Sequence, residues 1–408
     1  MTASTSSVHK PSAASPLLKY WLSSLTSHHP HRETLVKTSL RWGLRGLGGL
    51  LVWVALMLPS QAVEMRVGLM QEEDAVNIGS STTGLIRDGG GQTLYQLPEL
   101  QAVTVEADGF EVELTSGGQT LAESSAFWLE PSEGGFVWIG DKWYRGRVMV
   151  TVDAGELVAV NHVDLEDYLY SVVGSEMPTS WPQAALQSQA VAARSYALYK
   201  RSRSANPLFD LGGTTAHQVY KGLAQEHPNT IAAVDATEDQ VVTHNGQVIE
   251  AIFHSSSGGG TENASDVWSS DVPYLRRVED FDHDSPVFSW EETFTLSEFS
   301  SKIGDIGRVH TIGTPQYTEG GRVASITFAG EKGTETMRGR DVRSALRLRS
   351  TRFDIAIEGN NVTVTGSGFG HGVGMSQWGA RRLAEQGWNF EEILQHYYQS
   401  TAIAQLED

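Results

Sequence analysis

Short runs of alternating apolar and polar residues follow one another from residue 63 to about residue 150. Four of them lie at residues 65–69, 102–105, 110–114 and 136–139. Glycine-rich turn sequences such as Asp108-Gly109 and Gly117-Gly118 separate the runs. A period of two with glycine at the turns is typical of antiparallel β structure. Residues 148–160 are expected to form a hairpin that turns at Ala154-Gly155.

The pattern changes to helix after residue 160. Residues 182–201 are rich in alanine and carry the strongest helical signal, with Ser180 as the expected N-cap and Pro182 in the first turn. A C-terminal helix is predicted over about 376–398. Further apolar runs predict a helix over 165–173 and β structure at 239–253, 322–328 and 353–365. The sequence therefore predicts an α+β fold that is rich in β structure and has a few helices.

Charge separates the first 62 residues from the rest of the chain. They hold six Lys and Arg and one acid, whereas the whole chain has 30 basic and 49 acidic residues. Residues 46–58 form an uncharged apolar segment, shorter than the roughly 20 residues that span a bilayer. Arg41 and Arg45 precede it, and Pro59 and small residues follow, as in a secretory signal. We expect an exported protein, periplasmic or associated with the cell wall. We expect residues 46–58 to be either a cleaved signal or a membrane anchor, and the alternative is a buried core helix of the folded domain.

Composition excludes several classes of function. The chain has no cysteine, which removes thiol nucleophiles, disulfides and thiolate-bound metals. A net charge of −19 argues against a nucleic-acid partner. The glycines of residues 366–380 do not have the spacing of a nucleotide-binding loop, and the 13 histidines show no metal-binding spacing. We therefore predict no cofactor and no metal. The charge and the hydrophobic pattern divide the chain into three expected parts: the basic region 1–62, the β-rich region 63–150 and a domain over 151–400.

Three segments carry candidate chemistry. Glu176 follows an apolar segment and precedes Pro178, so partial burial is expected to raise its pKa toward that of a general acid; the alternative is an ordinary surface glutamate. His254 precedes three serines and three glycines, which suggests either a serine hydrolase or a plain glycine turn. The glycine-rich loop of residues 366–380 presents His371 and Gln377.

Together these segments resemble the SpoIID/LytB family. The matching runs are NHVDLEDYLYSVVGSEMPTSWPQAALQSQAVAARSYAL (161–198), HQVYKG (217–222), FHSSSGGGTE (253–262) and GFGHGVGMSQWGARRLAEQGWNFEEILQHYY (368–398). They occur in the family's order, so the resemblance covers about 150–400. Some members are lytic transglycosylases that cleave peptidoglycan strands stripped of their peptides, and others enhance cell-wall amidases. The resemblance implies that Glu176 protonates the MurNAc–GlcNAc glycosidic oxygen. It would then act as a base on the C6 hydroxyl, which closes a 1,6-anhydro ring.

The resemblance also implies a set of groove residues. Those at family motif positions are Arg194, Tyr196, Gln218, Tyr220, Ser257, His371 and Gln377. A role in holding loops is the alternative for each, and Arg194 could instead pair with Glu176. Asp164, Glu166 and Asp167 are interpreted as structural. Some members hold zinc with Cys and His near the serine–glycine loop, but Ser257 and Gly260 stand at those positions here, so no zinc site is expected.

Two functions remain open at this stage. The first is an exported lytic transglycosylase that acts on glycan strands with Glu176 as acid and base. The second is a non-catalytic glycan-binding protein that enhances or localises a cell-wall amidase. In either case a membrane contact is expected only through residues 46–58. A serine hydrolase built on His254 is a third and weaker hypothesis.

Overall fold

The computed structural model describes residues 63–406 except residue 269. The predicted signal or anchor segment, residues 46–58, lies outside the described residues. Among the helices of the described part, none is both long enough and apolar enough to cross a membrane. The elements form the predicted α+β fold, which is rich in β structure.

Twelve strands form the first part of the fold. They are β1 (Glu64–Glu73), β2 (Ala75–Ser80), β3 (Gly84–Asp88), β4 (Thr93–Leu97), β5 (Gln101–Asp108), β6 (Glu111–Ser116), β7 (Gln119–Ser124), β8 (Ala126–Pro131), β9 (Val137–Ile139), β10 (Lys142–Tyr144), β11 (Arg147–Asp153) and β12 (Glu156–Asp164). The predicted hairpin is confirmed, because β11 pairs with β12 and Asp153 faces Glu156 across the turn. Alternate residues are buried along strands such as β6, as the period of two requires.

Two sheets share these strands. A seven-stranded sheet has the order β13-β1-β12-β11-β8-β3-β4, in which β13 is the short strand Leu211–Gly212, and a six-stranded sheet has the order β10-β9-β2-β5-β6-β7. Strand β1 pairs with β12, where Met65 faces Val163. The expected division of the chain between residues 150 and 151 falls inside β11, which spans Arg147–Asp153. The strands before and after this point share one hydrophobic core.

Helices and short strands follow β12 and pack on the same core. They are α1 (Leu165–Glu176), α2 (Gln183–Arg203), β13 (Leu211–Gly212), a 3₁₀ turn (Gly222–Gln225), α3 (Pro228–Asp235), β14 (Gln240–His244), β15 (Gln247–Val248), β16 (Phe253–His254) and α4 (Ala264–Trp268). Helix α2 confirms the predicted helix, but the expected N-cap at Ser180 is wrong. Pro182 occupies the N-cap without a side-chain bond, because Trp181 precedes a proline and is kept out of the helical region.

Residues 289–367 form an inserted unit with a second hydrophobic core. Its elements are β17 (Ser289–Thr295), α5 (Leu296–Ile303), β18 (Val309–Ile312), β19 (Gln316–Tyr317), β20 (Val323–Gly330), β21 (Gly333–Arg338), α6 (Gly339–Leu346), β22 (Phe353–Glu358) and β23 (Asn361–Ser367). Phe299, Phe328 and Val364 are fully buried at its centre. The region predicted as one domain over 151–400 thus contains two cores.

The chain then returns to the first core. The remaining elements are β24 (Met375–Ser376), α7 (Gln377–Glu385), α8 (Phe390–Tyr397) and β25 (Ala402–Gln405). The single helix expected over 376–398 is wrong, because Gly387 has a left-handed φ of 94° and Asn389 caps a new helix at the Glu392 N–H. Strand β24 runs parallel to β16, which brings the glycine-rich loop beside the serine–glycine loop.

Candidate active site

Glu176 is the last residue of helix α1. Pro178 follows the next residue and disfavours the helical conformation at Met177, which is extended at φ −128° and ψ 146°. The backbone N–H of Val219 donates to Glu176 Oε1 at 2.9 Å, and the amide of Gln377 donates to Oε2 at 3.4 Å. Three segments that are distant in sequence therefore converge on one carboxyl group.

Burial raises the pKa of Glu176 above its usual range. The N–H of Val219, the amide of Gln377 and the charge of Lys221 act in the opposite direction, but burial is the largest of these influences. A carboxyl group whose charged form is disfavoured in this way keeps its proton to higher pH than a surface glutamate. That is the property a general acid needs near neutral pH.

Glu176 lines a cavity of about 810 Å³. This volume lies within the usual range for ligand sites, about 300–1,000 Å³. Of the residues expected in the groove, Tyr196, His371 and Gln377 line the cavity with Glu176. The aromatic side chains of Trp268 and Phe369 also line it and are 41% and 44% exposed. Exposed aromatic faces beside a carboxylic acid offer surfaces on which sugar rings can stack.

His371 forms hydrogen bonds with two backbone groups. Its Nε2 lies 3.0 Å from the Phe253 carbonyl, and its Nδ1 accepts from the Val373 N–H at 3.1 Å. With one donor and one acceptor required, the ring carries a single proton at Nε2. Burial lowers the pKa of His371 to about 4. The ring therefore fixes the glycine-rich loop against β16 and is not poised to transfer a proton near neutral pH.

Arg194 lies away from the cavity, unlike the expectation from the family motif. It is fully buried, and its Nε and Nη2 contact the two carboxylate oxygens of Glu166 at 2.6 and 2.5 Å. It therefore does not pair with Glu176. Its helix turns this side chain toward the first turn of α1, where Glu166 lies. The guanidinium joins α1 to α2 and thereby supports the helix that carries Glu176.

Gln218 and Tyr220 also lie behind the cavity wall. The Gln218 amide accepts from the Tyr168 hydroxyl at 2.9 Å, and the Tyr220 hydroxyl donates to Asn161 at 2.8 Å. Both side chains point into the core, on either side of Val219. Their bonds fix the backbone N–H of Val219 that binds Glu176, so these two residues position the site without lining it.

Ser257 and His254 form a close pair beneath the glycine-rich loop. Ser257 Oγ lies 2.9 Å from His254 Nε2, although the two residues are only three positions apart. Ser257 is fully buried, so its hydroxyl has no open path to a substrate carbonyl. His254 Nδ1 lies 3.2 Å from the Val373 carbonyl. These contacts make the pair a bridge between the two loops, and the serine that contacts His254 Nε2 is not accessible as a nucleophile.

Trp268, Arg343 and Lys200 are among the residues of the cavity wall that sequence reasoning missed. Trp268 lies in a short helix without a motif, Arg343 comes from the inserted unit, and Lys200 follows the recognised part of α2. Lys200 forms an ion pair with Glu250 at 2.5 Å. Each of these residues belongs to a segment without a recognisable motif. Only the folded structure, which brings them to one cavity, identifies them as residues of the site.

The fold and the site together define an α+β protein with a cavity whose wall carries a mostly buried glutamate of raised pKa, Glu176. A family model described as "Stage II sporulation protein" matches residues 153–244. A second model, "Domain of unknown function (DUF8618)", matches residues 273–374, which include the inserted unit.

Curated relatives agree with the first of these models. Stage II sporulation protein D of Bacillus subtilis (strain 168) is 34% identical over 321 residues, which cover 73% of this chain and 90% of that protein. The protein of the same name from Bacillus amyloliquefaciens is 37% identical over 270 residues, covering 61% of this chain and 76% of that protein. An amidase enhancer of Bacillus subtilis (strain 168) is 28% identical over 290 residues, covering 58% of this chain and 40% of that protein. The chain therefore belongs to the SpoIID/LytB family.

Proposed function

We propose that the protein is an exported lytic transglycosylase that cleaves peptidoglycan glycan strands with Glu176 as its general acid and base. The observation that carries the proposal is the raised pKa of this one carboxyl group on the wall of an open cavity. The other acid on the described cavity wall is Glu250, which is engaged by Lys200. A mechanism that requires a single carboxyl group fits this arrangement better than the two-carboxylate scheme of ordinary glycosidases.

The proposed reaction uses the carboxyl group of Glu176 twice, first as an acid and then as a base. Protonated Glu176 gives its proton to the glycosidic oxygen as the bond from MurNAc C1 to that oxygen breaks. The resulting carboxylate then takes the proton of the MurNAc C6 hydroxyl while the C6 oxygen bonds to C1. This closes the 1,6-anhydro ring and returns Glu176 to its protonated form, so no water enters the reaction.

The contacts of Glu176 suit both halves of this cycle. The Val219 N–H and the Gln377 amide stabilise the carboxylate that forms after the first transfer. These two donors lower the pKa of Glu176, but burial raises it by more, so the protonated form that the first step requires is retained. Trp268 and Phe369 would stack on the pyranose rings, which are neutral apart from the substituents of MurNAc.

Export is the second element of the proposal. The substrate lies outside the cytoplasm, and residues 46–58 supply either a cleaved signal or an anchor that holds the domain at the membrane. A cell-wall amidase is a natural partner, because removal of stem peptides would expose the glycan strand to this cavity.

A non-catalytic role is the alternative function. The relative named amidase enhancer motivates it, and the same cavity would then bind glycan strands without cleaving them. This alternative predicts that Glu176 contributes to binding and that no new strand ends form.

The two functions are separated by mass spectrometry of products from purified glycan strands without peptides. The full chain is expected to produce 1,6-anhydroMurNAc ends, and the Glu176→Gln variant to produce none. Glu156→Gln is the matched control, since Glu156 is exposed at the start of β12. Strand binding by the wild-type chain without anhydro products would establish the non-catalytic alternative.

A further inference from the structure

Arg343 is a charged residue on the cavity wall that the proposed reaction does not use. It lies on helix α6 of the inserted unit and lines the same cavity as Glu176. Its Nε donates to the Leu348 carbonyl at 3.2 Å. Within the described part of the chain no carboxylate pairs with its guanidinium. Burial lowers the pKa of Arg343, and no neighbouring charge contributes to that shift. The remaining N–H groups are free to bind an anion.

The other titratable groups on the wall do not cancel this charge. Lys200 and Glu250 neutralise each other at 2.5 Å. The three histidines of the wall, His217, His254 and His371, have lowered pKa values because of burial, so they are neutral at pH 7. Glu176 has a raised pKa, and Arg343 is not among the charges that act on it. Among the described residues of the wall, Arg343 is thus a cation without a compensating charge, in a chain whose net charge is −19.

We propose that Arg343 binds the lactyl carboxylate of MurNAc and is thereby the residue that favours strands without stem peptides, a substrate preference that the family resemblance already implies. The inference rests on the proposed function, because it assigns the substrate of the same cavity. GlcNAc is neutral, and MurNAc carries one carboxyl group on its lactyl ether. That carboxyl group is an uncharged amide while a peptide is attached and becomes a free carboxylate once the peptide is cleaved.

An arginine suits this discrimination better than a lysine. Its planar guanidinium can donate two parallel hydrogen bonds to one carboxylate, and it retains its charge when partly buried. A charged hydrogen bond in a partly desolvated site corresponds to a preference of about 10- to 100-fold over an uncharged acceptor. A peptide-bearing strand loses that contact and also leaves the guanidinium without an anion.

The test measures binding with the full chain carrying Glu176→Gln, so that the strand is not cleaved. Two ligands are compared by isothermal titration calorimetry: peptide-free strands, and the same strands with each lactyl carboxyl converted to a primary carboxamide. We expect at least about tenfold tighter binding of the carboxylate strands. Adding Arg343→Met should abolish the preference, and Arg343→Lys should retain part of it. Arg340→Met is the matched control, since Arg340 lies on the same helix, is exposed and pairs with Asp341.

Equal affinity for the two strands, or no binding of either, overturns the inference. A preference that survives in a folded Arg343→Met or Arg343→Lys variant at its full size also overturns it, because the anion then binds elsewhere. Products of the wild-type chain report on the proposed function separately. Anhydro products without any carboxylate preference would remove only the role of Arg343. A preference that depends on Arg343 in a chain without anhydro products would support the inference and refute the transglycosylase.

Discussion

The ion pair between Arg194 and Glu166 offers a direct test of how the site is supported. Arg194 is fully buried, whereas the Glu166 side chain keeps 18% of its exposure. Besides its two contacts with Glu166, the guanidinium donates to the Gln240 carbonyl at 3.0 Å. The perturbation is Arg194→Met, which replaces the guanidinium by an apolar side chain of similar length and leaves Glu166 without its partner.

The expected cost follows from what each change leaves behind. Removing one member of a buried pair typically costs about 3–5 kcal/mol. Arg194→Met should lie near the lower end, about 3 kcal/mol, because Glu166 can gain some water. Glu166→Leu should lie near the upper end, about 5 kcal/mol, because it leaves the arginine fully buried. The double variant should be more stable than the sum of the two losses predicts, since neither charge then remains unpaired.

The assay combines urea unfolding with kinetics on peptide-free strands. Arg194→Met is expected to lower the urea midpoint without changing the slope of the transition. In conditions where the variant is folded, KM for strands should stay within about twofold of the wild-type value, because the side chain does not reach the cavity. A variant with the wild-type midpoint and a greatly raised KM would refute this reasoning and return Arg194 to the groove.

Three further predictions concern the rest of the site. Gly379→Ala should destabilise the chain by about 2–4 kcal/mol, because its Cβ would overlap the buried Asp280 carboxylate and the Tyr397 hydroxyl; Gly90→Ala, on an exposed turn, is the control in urea unfolding, and equal midpoints would contradict the prediction. His371 has a folded pKa of about 4 against an ordinary 6.5, so its neutral form is favoured by folding. The wild-type chain should therefore lose about 3 kcal/mol more stability than His371→Gln as the pH falls from 7 to 4; parallel losses in urea unfolding would be inconsistent with this. Gln377→Leu removes a donor that favours the Glu176 carboxylate, which raises its pKa. Because the protonated acid is the active form, the alkaline fall in kcat/KM should move to higher pH, and a fall that is unchanged or moves to lower pH would count against Glu176 as the acid.

The elements that could be predicted from the sequence are those with local signals. The β-rich first part follows from a period of two, and the hairpin at Ala154-Gly155 follows from its turn. Helix α2 follows from alanine propensity, although a proline moves its start. The end of helix α1 at Glu176 depends on Pro178, which is also local. In each case a few neighbouring residues decide the conformation.

Contacts between distant segments could not be predicted in the same way. Glu176 meets Val219 across 43 positions and Gln377 across 201 positions. A motif identifies Arg194, Gln218 and Tyr220 as important but does not tell whether a side chain faces the cavity or the core. The inserted unit carries no recognised motif, so neither its separate core nor Arg343 could be anticipated.

The glycine-rich loop explains how the inserted unit becomes part of the site. A Cβ on Gly370 would lie 2.7 Å from the Cβ of His254, and a Cβ on Gly374 would overlap the Ile252 carbonyl. Both glycines also have positive φ, so other residues would be strained there. The alternate glycines therefore serve close packing of this loop on the segment that ends in His254. The same loop passes over Arg322 of the inserted unit at Gly372, and Arg322 donates to the Ser257 carbonyl at 2.7 Å. This loop leads directly into β24 and Gln377, so the inserted unit supports the segment whose side chain binds Glu176 and also contributes Arg343 to the cavity wall.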